Sequence, residues 1–129
     1  MPATFTSNDP LVCEFLVLAR TNYVYLAELP YYARRLGALG LADERHRTLK
    51  ALKVLLEAGV WDAGELSPDG FQRWECRVDT ALSRIENEWR SLSRPLQPGD
   101  ICWFSNTLEG DNAARKLLEA GYVSIVKDC

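Results

Sequence analysis

LADERHRTLKALKVLLEAGVWDAGELSPDGFQRW, residues 41–74, contains the change of hydrophobic period on which the fold turns. Up to Gly59 the spacing puts Leu49, Leu52, Leu55 and Leu56 on one helical face, with Arg45, Arg47, Lys50 and Lys53 facing out. Asp43 is placed to cap this helix and Gly59 to end it. From Val60 onward the helical period is lost. Two short aromatic-flanked runs lie on either side of Ser67-Pro68-Asp69-Gly70, which is turn chemistry, so the segment predicts a β-hairpin.

Upstream, Asp9-Pro10 is a helix start, because Asp can cap free amides and Pro at the first helical position loses no hydrogen bond. Leu11, Val12, Phe15, Leu16 and Ala19 then recur at helical spacing. Tyr23, Val24 and Tyr25 favour extended backbone, and a second helix is expected over residues 28–36, with Pro30 in its first turn and Gly37 ending it. Downstream, Val78, Leu82, Ile85, Trp89 and Leu92 form one helical stripe with Asp79 at the cap, and the SRPLQPGD connector cannot continue it. ICWF (101–104) reads as a short buried strand, Asp111 as the cap of a last helix through Leu117 and Leu118, and YVSIV (122–126) as a final strand. Trp103 and Phe104 are adjacent, so in a strand they point to opposite faces, and one of them is a candidate for a second apolar surface unless a last helix covers it. The expected fold is α+β: one mostly helical domain over residues 1–129, with a winged-helix-like first half, a short β-hairpin and further C-terminal helices.

With 129 residues the chain can bury one core without staples, and 47% hydrophobic with 26% charged residues is an ordinary globular composition. No segment reaches the apolar length of a membrane span, and MPATFTSNDP lacks the basic start and apolar centre of a signal peptide, so a cytoplasmic protein is expected. Cys13, Cys76, Cys102 and Cys129 form no C-x-x-C pair, and His46 is the sole imidazole; reduced thiols, no metal and no cofactor are expected. Residues 1–60 hold seven bases against six acids, residues 61–129 eight against twelve. The acidic second part suits a basic protein partner better than a polyanion.

Three functional readings follow. The first is partner binding through Asp62, Glu65, Asp69, Asp100, Glu109 and Asp111 with aromatic neighbours such as Trp103. The second is nucleic-acid binding by the basic third helix through Arg45, Arg47, Lys50 and Lys53, since helix, helix, helix, hairpin is the order of a winged helix; the diluting acids and negative net charge oppose it. The third is a small enzyme using Cys102 or a carboxylate pair, but no sequence signal places His46 beside Cys102, and the acids alternate with turn residues. GALG lacks the features of a phosphate-binding loop.

The run GVWDAGELSPDGF-x-x-W, a Trp-bearing helix and GDICWFSNTLEGD together resemble a pattern in small acidic bacterial proteins, covering about half the chain. In size, charge and helix-rich character the whole chain is similar to immunity proteins of bacterial contact-dependent and polymorphic toxin systems. That resemblance implies a non-enzymatic antitoxin that binds a basic cognate toxin and occludes its active or functional surface. It carries no diagnostic motif and assigns no site residue.

Overall fold

The Asp9 carboxylate accepts hydrogen bonds from the Leu11 and Val12 amides at 2.8 and 3.3 Å, which fixes the start of the first helix. In the computed structural model, which describes residues 5–125, the elements run α1 (Pro10–Leu18), β1 (Val24–Tyr25), a 3₁₀ turn (Leu26–Glu28), α2 (Leu29–Arg35), α3 (Leu41–Glu57), β2 (Trp61–Ser67), β3 (Gly70–Arg73), α4 (Val78–Ser91), β4 (Trp103–Asn106) and α5 (Leu108–Glu119). The fold is α+β, and its first half has the expected order of helices followed by a hairpin. Gly70, at φ 111°, supplies the left-handed residue that closes the hairpin after Pro68-Asp69.

Three caps differ from expectation. Asp43, Asp79 and Asp111 each lie inside the first turn, and the cap positions belong to Gly40, Arg77 and Thr107. A carboxylate in the first turn still complements the helix dipole, so the sequence signal was correct in kind and late by a few residues. Asp43 reaches back to accept the Leu39 amide at 2.9 Å. Thr107 bonds in both directions: its hydroxyl accepts from the Gly110 amide at 3.2 Å and donates to the Gly59 carbonyl at 2.7 Å.

All pairings in the sheet are antiparallel, in the order β1-β4-β2-β3. The hairpin is therefore no free-standing wing, because β4 enters between β1 and β2 and ties the C-terminal part into the first. The chain reaches β4 through a γ-turn: the Cys102 amide donates to the Asp100 carbonyl at 2.8 Å across Ile101, whose φ is 69°. Positive φ at a β-branched residue is strained, and the Arg94–Asp100 ion pair, with contacts of 2.7 and 3.2 Å, clamps the turn from outside.

One hydrophobic cluster joins the helices to the inner face of the sheet. Phe15 of α1 stacks on Trp61 at 5.7 Å and Trp61 on Phe104 at 5.0 Å, with Leu52, Leu55 and Ile85 fully buried around them. Truncating a ring such as Phe104 should cost about 3–5 kcal/mol. The α5 end of the core is closed without a strand: Tyr122–Ile125 is irregular, and Val126 lies outside the described residues. This segment docks on Glu14, a carboxylate buried in α1, which accepts from Tyr122 Oη at 2.7 Å, Ser124 Oγ at 2.6 Å and the Ile125 amide at 3.0 Å. A buried carboxylate needs such donors, and here they come from the far end of the chain.

Candidate functional site

Strand alternation and register sort the sheet residues onto two faces. Val24, Phe104 and Ala63 pair across the strands and face the core. Tyr25 pairs with Trp103, Asp62 with Ser105, and Leu66 with Phe71, and these look the other way. Trp103 and Phe104 thus split as adjacent strand residues must: Phe104 is fully buried, whereas Trp103 meets Tyr25 edge-on at 5.5 Å on the outer face.

The outer face is curled. Tyr23, at the entry to β1, stacks on Phe71 of β3 with ring centroids 5.5 Å apart. In a flat sheet β1 and β3 would be separated by three strand spacings, roughly 14 Å. The two edges therefore bend toward each other on this side. At Gly64 of β2 a Cβ would strike the Gln72 carbonyl, so only glycine permits the close approach of β2 and β3. Tyr23 with Phe71 and Tyr25 with Trp103 form two ring pairs on this face, with Leu66 opposite Phe71, and none of the five belongs to the main core. Tyr23 is 46% and Leu66 37% exposed, and the other three are half-buried.

Asp62 sits on this face beside Ser105, with Arg73 one strand over. Burial raises its pKa above the ordinary 3.8, against the pull of the Arg73 guanidinium. A partly desolvated carboxylate that shares a face with aromatic rings is suited to a cationic or hydrogen-bond-donating partner surface.

The remaining acids are distributed elsewhere. Glu65 alternates to the opposite side of β2 from Asp62 and is exposed, and Asp69 occupies the hairpin tip. Asp100 is engaged inside the molecule: the Arg94 hydrogen bonds and the Gln97 amide at 2.8 Å hold its pKa below the ordinary value. Glu109 and Asp111 stand in the first turn of α5, beyond the Asn106 end of β4, and Asp111 accepts from Asn106 Nδ2 at 3.1 Å. β2 runs six residue steps from Trp61 to Ser67, roughly 20 Å, between that end and the hairpin tip. Of the seven residues expected to bind a partner, the structure brings Asp62 and Trp103 onto one face.

On α3, Arg47, Lys50 and Lys53 are exposed together with His46 and Glu57, and Arg47 is paired at 3.2 Å with the half-buried Asp43. Arg45 turns aside to line a groove against α4. Cys102 is 1% exposed, and its thiol pKa is pushed far up by burial, which opposes the thiolate a nucleophile needs. His46 lies on the exposed face of α3. Among the described residues no three His, Cys, Asp or Glu side chains converge as a metal site requires, and no helix is long and apolar enough to cross a membrane.

Neither protein-family models, nor curated proteins, nor solved structures yield a match to this chain. Sequence reasoning missed Tyr23, Tyr25, Leu66 and Phe71 as site residues. The alternation of two tyrosines about Val24 was a usable signal for the first pair, but the meeting of Tyr23 with Phe71 had none.

Proposed function

We propose that this protein is a non-enzymatic binding protein of the immunity or antitoxin kind, which acts in the cytoplasm by covering the active or functional surface of a cognate, basic bacterial toxin. The observation that carries the binding reading is the curled outer face of the sheet, where the ring pairs Tyr23–Phe71 and Tyr25–Trp103 lie outside the core and share the face with the half-buried carboxylate of Asp62. Aromatic anchors that are partly desolvated before binding and ringed by polar groups match the residue types and setting of interface hot spots. The toxin identity of the partner rests on the resemblance in size, acidity and helical character. The nucleic-acid alternative has weaker support, because Asp43 pairs with Arg47 and Glu57 shares the exposed strip of α3 with its bases.

The test is co-expression. The reading frame next to this one in its source genome is expressed alone and with this protein, and growth is measured. Toxicity relieved by the wild-type chain supports the reading. Trp103→Ala should weaken the complex by about 2 kcal/mol, roughly thirtyfold, and Asp62→Lys should weaken it further, with the melting temperature checked for both. Full rescue and unchanged affinity with Tyr25, Phe71 and Trp103 all replaced by Ala would sink the assignment of this face.

A further inference from the structure

A groove of about 430 Å³ opens where α2, the first turn of α3 and the end of α4 meet. Pro30, Trp89, Leu92 and Leu96 give it an apolar floor, and Arg34, Arg45 and Arg94 stand around it. We propose that this groove receives a segment of a partner protein in which a carboxylate neighbours a bulky apolar side chain. It shares no residue with the outer sheet face, so this inference stands apart from the function proposed above.

The three arginines are not equivalent. Arg34 is held by Glu44, which is 5% exposed, through two contacts of 3.1 Å, and Arg94 is held by the two contacts to Asp100. Both planar forks are thereby fixed in place, and their outward N–H groups remain as donors. Arg45 has no ion-pair partner among the described residues, although its side chain is half-buried at the wall of the groove. A guanidinium beside an apolar floor is matched by one incoming carboxylate, which can form a charge-assisted pair away from bulk water. A polyphosphate or nucleic-acid backbone would need several unmatched positive charges, and two of the three here are already neutralised by the protein's own acids.

The apolar surface also continues past the groove. Leu41 at its rim is 77% exposed, Leu39 on the loop entering α3 is 85% exposed, and Tyr31 on α2 is 43% exposed. A small ligand would leave these three uncovered, whereas a peptide segment reaching beyond the groove would cover them.

The experiment pans a random peptide library displayed on phage against the full chain, then measures enriched peptides by fluorescence anisotropy. The expected result is enrichment of peptides with Asp or Glu beside Leu, Ile, Phe or Trp. Their affinity should fall about ten- to hundredfold with Arg45→Glu, the scale of one lost charge-assisted bond. Leu41→Asp should also weaken them and Trp103→Ala should leave them unchanged. Leu41 is exposed and Arg45 is free of internal ion pairs, so neither change removes a fold-holding contact, and melting temperatures verify this. Failure to enrich any peptide, enrichment without acidic residues, or acidic peptides that still bind Arg45→Glu would each overturn the proposal. Peptides that respond to Trp103→Ala alone would overturn it too, and would assign the binding to the sheet face.

Discussion

Replacing Glu14 with Ala should lower the melting temperature by roughly 11–18 °C. The carboxylate is 1% exposed and accepts three hydrogen bonds from Tyr122, Ser124 and Ile125, at 2.7, 2.6 and 3.0 Å. A hydrogen bond to a charged group contributes about 1.5–3 kcal/mol, so three would set an upper bound of about 4.5–9 kcal/mol. The 122–125 segment can swing away and rehydrate its donors, which limits the loss to about 3–5 kcal/mol, the scale of three neutral donors left partly unpaired at about 1–3 kcal/mol each. Unfolding entropy of about 2.1 cal/mol/K per residue over 129 residues is roughly 0.27 kcal/mol/K, which converts that loss into the stated shift. Burial, followed by the bond to Glu14, raises the Tyr122 hydroxyl pKa well above its ordinary value, so Tyr122 remains a donor through neutral pH. Thermal unfolding followed by circular dichroism gives the shift, and a double-mutant cycle with Tyr122→Phe should show coupling of about 0.5–3 kcal/mol. A Glu14→Ala variant that melts within about 3 °C of wild type, with no coupling to Tyr122, would refute the reasoning, since three bonds to a buried charge cannot be lost so cheaply.

Gly110→Ala should destabilise by about 1–3 kcal/mol in urea titration despite Ala being the better helix former, because the added Cβ would run into the Val60 carbonyl. Under native conditions iodoacetamide should modify exposed Cys76 and leave Cys102 unmodified until the protein unfolds, as mass spectrometry would show; prompt labelling of Cys102 would contradict its burial. The acid limb of stability should depend on Asp43, whose pKa is lowered chiefly by the Leu39 amide, and on Asp100, whose pKa is lowered chiefly by Arg94. A carboxyl with its folded pKa below 3.8 contributes stability that is complete above that value and lost as pH falls through the folded pKa, so Asp100→Asn should flatten the acid limb. Asp62 and Glu28, both raised by burial, act with the opposite sign: their contribution is present at low pH and lost as pH rises through the folded pKa. Asp62→Asn should therefore not lower the melting temperature at neutral pH.

What the sequence determined by itself is what the backbone period encodes locally. The leucine spacing of residues 41–59 marked α3, Ser67-Pro68-Asp69-Gly70 marked the hairpin turn, Asp9-Pro10 marked the start of α1, and the adjacency of Trp103 and Phe104 required that the two rings face opposite sides of a strand. Caps were displaced because a carboxylate stabilises the first turn from several positions, and local chemistry does not single out one. Only the tertiary structure decided the rest, since each feature joins residues distant in the chain. The insertion of β4 between β1 and β2, the curl that brings Tyr23 onto Phe71, and Arg94 closing on Asp100 leave no trace in local periodicity. Glu14 reads as an unremarkable polar residue in an apolar helix, and its three donors lie 108 to 111 positions away. Of the candidate site, Asp62 and Trp103 were legible because residue type and strand parity suffice to nominate them. Their aromatic neighbours became part of it only when the sheet curled.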